Sequence, residues 1–236
     1  MRLLYDLHTH TDFSHGKGTV RDNIERACEI GLEKIGISDH APGHCLYGVR
    51  RMEQYLRSVE EIKKEFHDRI SVVAAMEFNL LDLSGGSDYN DEIAKCLDMC
   101  FCGYHKMALS HHAGSFMYFV FSGAKDVCKN TGTYISLLEK HDFYMITHPG
   151  YCLKLDVKEF ARSCRDTDTF IEINEKHNDL SPEDLYVMAS EGARFVVSSD
   201  AHSPRDIGKV TKALYAVEKA GIISAVVNVC DRGKMI

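Results

Sequence analysis

Nowhere does the chain carry the about eighteen consecutive apolar residues that a membrane span requires. Its opening, Met1-Arg2-Leu3-Leu4-Tyr5-Asp6, reaches an acidic residue too soon for the apolar stretch of a secretory signal, so a cytoplasmic protein is expected. A basic excess is missing too: 28 Lys and Arg face 35 Asp and Glu, a formal charge of −7. Gripping long nucleic acid takes a basic face that displaces counterions. The balance favours a small substrate, although bound divalent cations would offset the charge locally. The nine cysteines are odd in number and include no CxxC pair of the kind a thiolate zinc site uses. Reduced thiols are expected, with Cys96, Cys100 and Cys102 as small buried hydrophobes. No linker, low-complexity segment or repeat interrupts the 236 residues, and a hydrophobic content of 44% suffices for a large core. One domain over residues 1–236 is expected.

What recurs is an architectural unit: a short apolar run, a polar residue able to bind metal, then a helical stretch. The runs are 3–7, 35–38, 70–76, 98–103, 143–147, 170–173 and 195–198. They end at His8 and His10, Asp39 and His40, Glu77, His105, His148, Asn174, and Asp200 with His202. Thr19 can cap a helix that Gly31 ends, and residues 52–67 form a charged amphipathic helix. Further helices are expected near 125–140, 157–164, 183–191 and 205–220. Strands alternating with helices imply a parallel sheet with right-handed crossovers, and this many units without a break suggest closure into a barrel. Functional residues of such barrels sit where strands end. Every run here ends in a candidate ligand or polar group, which chance placement would not produce.

His8-Thr9-His10 places two imidazoles on one side of an extended chain. Alone, an HxH is weak. Asp39-His40 and Asp200-Ala201-His202 add further pairs, and Glu77 directly follows an apolar strand, where an unneutralised charge is costly. His148 precedes Pro149-Gly150, which fixes the chain direction at a strand end. Imidazole and carboxylate without thiolate suit zinc, manganese or iron.

Together these residues resemble the polymerase and histidinol phosphatase (PHP) family of metal-dependent phosphoesterases. The motifs are Asp6-Leu7-His8-Thr9-His10 with His15, Ser38-Asp39-His40, Glu77, His105, Thr147-His148-Pro149-Gly150 and Ser198-Ser199-Asp200-Ala201-His202, covering residue 6 to about 210. The resemblance implies an α/β fold, a distorted seven-stranded β/α barrel of TIM-like form, and three divalent metal ions per chain. It assigns His8, His10, Glu77 and Asp200 to one ion, Glu77 with His105 and His148 to a second, and His15, His40 and His202 to a third. Asp39 would orient a neighbouring histidine from behind the ligands. Glu77, Asp200 and His202 would then be catalytic. A hydroxide bridging two ions would attack a small phosphate monoester in line, with inversion and no phosphoenzyme.

Phosphate recognition needs cations or fixed donors beyond the metals. Lys106, Lys176, His177 and Arg205 follow strand ends and are the substrate-binding candidates, with Arg50 and Arg51 as more distant ones. Tyr151 and Cys152 could line the pocket. His111 and His112 are weak extra candidates, and the aromatic-rich segment 108–123 reads as a lid or an interface. His44, His67 and His141 read as surface or helix-end residues. Histidinol phosphate is one specific substrate. A small-nucleotide phosphodiesterase or exonuclease and a non-catalytic metal-binding module are the competing readings. A barrel hydrolase acting on C–N bonds would usually bridge its ions with a carboxylated lysine, and no lysine here is suitably placed.

Overall fold

A computed structural model describes residues 1–108, 113–121 and 125–231. The elements in chain order are β1 (Arg2–Leu3), β2 (Tyr5–Asp6), α1 (Val20–Glu29), β3 (Lys34–Ile37), α2 (Met52–Glu65), β4 (Ser71–Asn79), α3 (Asp91–Ala94) and β5 (Met99–Gly103). They continue with α4 (Ala113–Phe121), α5 (Val127–Lys140), β6 (Met145–Ile146), α6 (Val157–Asp166), β7 (Phe170–Asn174), α7 (Pro182–Ser190), β8 (Phe195–Ser198), α8 (Thr211–Ala220) and β9 (Val229–Cys230). Helix starts follow local chemistry. Thr19 and Ser181 each form a reciprocal capping box with an aspartate three residues on, Asp22 and Asp184.

β2 to β8 pair in sequence order as one seven-stranded sheet, parallel throughout. At its carboxyl end the sheet closes: Thr9 bridges Ala201 in parallel, and the His10 N–H donates to the Ala201 carbonyl at 2.8 Å. At the other end β2 and β8 do not pair, and residues 226–228 bond to both sides: the Leu4 N–H donates to the Asn228 carbonyl and the Val227 N–H to the Phe195 carbonyl. There the Asn228 side chain stands in for a peptide group. Its amide nitrogen donates to the Tyr5 and Val197 carbonyls at 2.8 and 2.6 Å, and its oxygen accepts from the Val197 N–H at 2.9 Å. The result is a distorted (β/α)7 barrel.

Two apolar layers result. The larger lies between strands and helices; the smaller fills the barrel interior with Leu7, Val73, Ala75, Phe101, Met145, Phe170 and Val196. The strand period of two carries this plug up to polar residues. Val73 and Ala75 are followed by Glu77, Phe170 by Glu172 and Asn174, and Val196 by Ser198 and Asp200. One end of the interior is therefore dry and the other is lined by charge.

The structure departs from the sequence reading in several places. The first apolar run divides, because Arg2–Leu3 pairs antiparallel with β9 while Tyr5–Asp6 opens the barrel. Glu77 lies inside β4 rather than after it, since β4 continues to Asn79. The stretch expected as a helix from 205 begins as a short 3-10 turn, Pro204–Asp206, and α8 starts only at Thr211. Of the three clustered cysteines only Cys102 is buried, and Cys96 is exposed. Segment 108–123 contains helix α4; its stretch 109–112, with His111 and His112, lies outside the described residues, as does 122–124. Among the described residues no helix is long and apolar enough to cross a membrane.

Candidate metal centre

The carboxyl end of the barrel gathers the candidate ligands from six strands and their loops. His8 and His10 follow β2, His40 follows β3, Glu77 lies in β4, His105 follows β5, His148 follows β6, and Asp200 and His202 follow β8. Two of them stand on backbone that side chains with a Cβ rarely adopt: His148 at φ 32° and Asp200 at φ 51°. Such conformations persist where the surroundings enforce them, and they gather at functional sites. Gly103 makes room for this turn. A Cβ there would lie 2.2 Å from Thr147 Oγ1 and 2.7 Å from the His148 ring.

The closest set is His8, His10, Glu77 and Asp200. His8 Nε2 lies 3.1 Å from His10 Nε2, 3.3 Å from Glu77 Oε2 and 3.8 Å from Asp200 Oδ1. His10 Nε2 lies 3.7 Å from Glu77 Oε2 and 3.2 Å from Asp200 Oδ1. Ligands about 2.0–2.1 Å from a zinc ion in a tetrahedron stand roughly 3.3 Å apart, so these separations fit one ion. The other Glu77 oxygen, Oε1, faces His105 Nε2 at 3.3 Å and His148 Nε2 at 2.9 Å, and accepts from Thr147 Oγ1 at 2.7 Å. Glu77 thus lies between two groups of imidazoles. Glu77 Oε2, Asp200 Oδ1, His10 Nδ1, His40 Nδ1 and His105 Nε2 are buried without a hydrogen-bond partner among the described residues. Buried polar atoms without partners are rare. Glu77 Oε2 and Asp200 Oδ1 among them face the Nε2 atoms of His8 and His10, a donor set that fits a cation.

His40 stands between two groups of candidate ligands, and His15 lies at their edge. His40 Nδ1 approaches Glu77 Oε2 at 2.9 Å, so His40 stands with Glu77 and His105 as much as with His10 and His202. His15 stacks on His40 at 5.0 Å and on Tyr47 at 4.2 Å, and meets His202 edge-on at 4.0 Å. It stands outside the three groups whose donor atoms lie within 4.8 Å of one another.

The electrostatics suit cation binding. Burial pushes the His10 and His15 imidazoles down to about 3 and that of His40 well below its ordinary value, so at neutral pH these rings are uncharged and offer lone pairs. Burial opposes charge on Glu77 and Asp200 as well, yet the surrounding imidazoles hold both carboxyls well below the usual range. His8 is the exception: burial lowers it, but Glu77, Glu172 and Asp200 together raise it well above its ordinary value. A divalent ion would replace that proton as the neutralising charge.

Several residues behind the ligands were not legible in advance. Glu172, 1% exposed in β7, accepts from His8 Nδ1 at 2.7 Å. Asn79 Oδ1 lies 2.9 Å from His105 Nδ1, and its own amide is oriented by Asp88 at 2.7 Å. Both contacts leave Nε2 of the histidine directed at Glu77, the usual arrangement for a ligating imidazole. Glu172 carried one available signal: an acidic residue in an otherwise apolar strand, two positions before Asn174. Asp39 acts differently from expectation. Instead of a histidine, its carboxylate accepts from the Thr11 N–H at 2.8 Å, from Thr11 Oγ1 at 2.7 Å and from Ser14 Oγ. It shapes the loop between His10 and His15.

At the rim, Lys176 Nζ lies 2.5 Å from His202 Nδ1, and the His177 ring is 5.8 Å from His148 and 4.2 Å from Tyr151. Asn174 places both by accepting from their N–H groups at 2.8 and 3.0 Å. Lys106 is exposed beside His105, and Cys152, next to Tyr151, stands at φ 63°. His44 corrects the surface reading: it is 4% exposed and stacks on His40 at 4.8 Å. Arg205 is corrected too, because it faces the outside of α1 in a groove with Asp22, Glu25 and Glu29. Arg50 is occupied by the Pro42, His44 and Cys45 carbonyls, and Arg51 lies over the Phe13 ring.

A parallel β/α barrel whose carboxyl end carries imidazoles around shared carboxylates is the architecture of a metal-dependent hydrolase. The chain belongs to the PHP domain family, whose model matches residues 6–225, and is a PHP-family phosphatase. It is 26% identical over 245 residues to a protein of Thermoanaerobacter sp. (strain X514) named a probable phosphatase, an alignment covering 100% of this chain and 94% of that protein. Two solved structures share the fold. One is a candidate histidinol phosphatase of Listeria monocytogenes, with TM-score 0.67 and 16% identity, over 88% of this chain and 98% of the other. The second is the histidinol phosphate phosphatase of Lactococcus lactis subsp. lactis, solved with zinc, L-histidinol and phosphate. Its TM-score is 0.65 at 15% identity, over 94% of this chain and 95% of the other.

Proposed function

We propose that the protein hydrolyses a small phosphate monoester at a centre of up to three divalent ions. The observation that carries this reading is the quartet of His8, His10, Glu77 and Asp200, whose buried donor atoms stand at ligand spacing. These four would hold one ion; Glu77 with His105 and His148 would hold a second; His15, His40 and His202 would hold a third. His40 is also placed to join the Glu77 group. The all-nitrogen-and-oxygen donor set suits zinc, manganese or iron.

Bound divalent ions at such a site supply Lewis acidity, which acidifies water and neutralises charge on the phosphoryl oxygens. The chain does the rest. Glu77 and Asp200 keep their negative charge in a dry site and fix where cations sit. Lys176 and His177 are both hung from Asn174, with Lys176 Nζ beside His202 and the His177 ring near His148, so the ammonium would be available to a phosphoryl oxygen there. Tyr151 packs against the His177 ring in a tilted contact at 4.2 Å and would border a bound substrate. Lys106, exposed beside His105, is a second cation on that rim. No side chain of this set is needed as a covalent nucleophile.

The test is turnover of a substrate panel by protein reconstituted with zinc, manganese or iron. The panel holds p-nitrophenyl phosphate, histidinol phosphate and other small monoesters, with bis-p-nitrophenyl phosphate and dinucleotides as diesters. Metal-dependent release from monoesters, with diesters at least about tenfold slower, is expected. Preference for diesters would point to a phosphodiesterase. No turnover of any compound by metal-loaded protein would leave a binding module.

A further inference from the structure

Glu172 joins three of the candidate ligands although it is none of them. Its Oε1 accepts from His8 Nδ1 at 2.7 Å, and its Oε2 accepts from the His148 backbone N–H at 2.6 Å. The same Oε2 accepts from Asn174 Nδ2 at 2.9 Å, and that amide nitrogen also lies 3.3 Å from Asp200 Oδ2. The carboxylate is 1% exposed, and Asn174 is equally buried at 1%. We propose that Glu172 is the positioning residue of the centre: one carboxylate fixes the tautomer of His8, secures the left-handed turn at His148 and, through Asn174, aims Asp200. The inference rests on the reading of this cluster as a metal centre.

The chemistry follows from what a carboxylate can and cannot do. It only accepts hydrogen bonds. With His8 Nδ1–H committed to Glu172, His8 Nε2 is the atom left bare, and Nε2 is the nitrogen that faces His10, Glu77 and Asp200. His148 holds φ 32°, and its N–H, pointed inward by that turn, finds its acceptor in the second oxygen. Both oxygens are therefore in use, and for different ligands. A glutamine has one acceptor oxygen and one donor. With its oxygen on His148 N–H, its NH2 meets His8 Nδ1 and drives the proton to Nε2, the wrong atom. Turned round, its NH2 confronts the His148 N–H. An aspartate keeps both acceptors but is shorter by one methylene, so it reaches one partner and not both.

The experiment uses the full chain loaded with zinc, Glu172→Gln and Glu172→Asp. Zinc per chain is measured by elemental analysis, and affinity by competition with a chelating dye. The His8 tautomer is read in the zinc-loaded protein from long-range proton–nitrogen NMR. Wild-type protein is expected to carry its His8 proton on Nδ1. Both variants are expected to bind at least one ion about 10–100-fold more weakly, the loss typical of removing a ligand's hydrogen-bond partner, and to retain about one ion fewer per chain after dialysis. Unfolding of the chelated proteins shows that the loss is of metal and not of fold. A folded variant with wild-type zinc affinity, or a wild-type His8 bare at Nδ1, overturns the proposal. Should neither variant fold, the wild-type tautomer still decides. Wild-type protein that takes up no zinc would instead contradict the metal centre itself.

Discussion

Replacing Asn228 by alanine tests how this barrel is closed. The side chain is fully buried and supplies the hydrogen bonds between β2 and β8 where the two strands do not pair directly. Alanine would leave the Tyr5 carbonyl, the Val197 carbonyl and the Val197 N–H without this partner. Each buried polar group so orphaned costs about 1–3 kcal/mol. A water entering the vacated space would recover part of that, so the net loss is about 3 kcal/mol. For a chain of this size each kcal/mol lowers the melting midpoint by roughly 2–4 °C, hence about 6–12 °C in all. Aspartate is the sharper probe. It has nearly the same shape, but it places a charged acceptor where the amide nitrogen donates to two carbonyls, so it should cost at least as much as alanine at neutral pH. Thermal unfolding followed by circular dichroism on chelated protein gives the comparison. A fall below about 2 °C for alanine, or an aspartate variant as stable as wild type, would refute the reasoning.

Other outcomes follow from the site. Lys176→Ala should lower kcat/KM for a phosphomonoester about tenfold to a hundredfold, the value of a hydrogen bond to a charged group, with arginine restoring part of it; an unchanged value removes Lys176 from substrate binding. Arg205→Ala should leave kcat/KM within about twofold of wild type, as for a surface change remote from the site; a larger loss would mean that the residue reaches the substrate after all. In metal-free protein, His10 and His15 sit at about 3 and His44 at about 4, below the unfolded imidazole value. The unfolded chain then binds protons that these folded groups refuse, so stability falls as pH drops through the window from about 6.5 towards those values. His8 and His148, held above their ordinary value, act in the opposite sense. So do the buried carboxyls of Asp6, Asp39 and Asp88, which burial raises, but the lowered set of imidazoles is larger, since burial also lowers His40, His141, His177 and His202. Chelated protein should therefore melt lower at pH 5 than at pH 7; an equal or higher midpoint contradicts this balance.

The barrel was legible because its strands are apolar runs that end in polar residues, and the period of two carries the interior plug of Val73 and Ala75 straight to Glu77. Helix limits followed the caps: Thr19 starts α1, and Gly31 turns the chain at φ 73°. The closing device was not legible. Asn228 is one polar residue near the chain end, and its role depends on a gap between strands that the sequence does not display. The residues behind the ligands escaped for a related reason. Glu172 showed only its acidity within an apolar run, and Asn79 and Asp88 follow no local pattern; each is defined by a partner distant in the sequence or across a loop. His44 read as a surface or helix-end residue because its burial comes from stacking on His40 and Tyr47, and from Arg50 tying down its loop. Arg205 erred in the opposite direction. It follows β8 by only a few residues, but the turn Pro204–Asp206 carries it round to the outside of α1.

Elemental analysis of the purified protein beside its Glu77→Ala variant, with phosphate release measured on the same samples, reaches the central claim most directly. Glu77 is fully buried and faces imidazoles with both oxygens, so its loss should open two of the three sites at once. Wild type is expected to hold close to three ions per chain and to release phosphate only when loaded. The variant should hold about one and release phosphate at least about a thousandfold more slowly, because the charge that fixes the ions is gone. One ion or none in wild type, without turnover after reconstitution with zinc, manganese or iron, would contradict the claim.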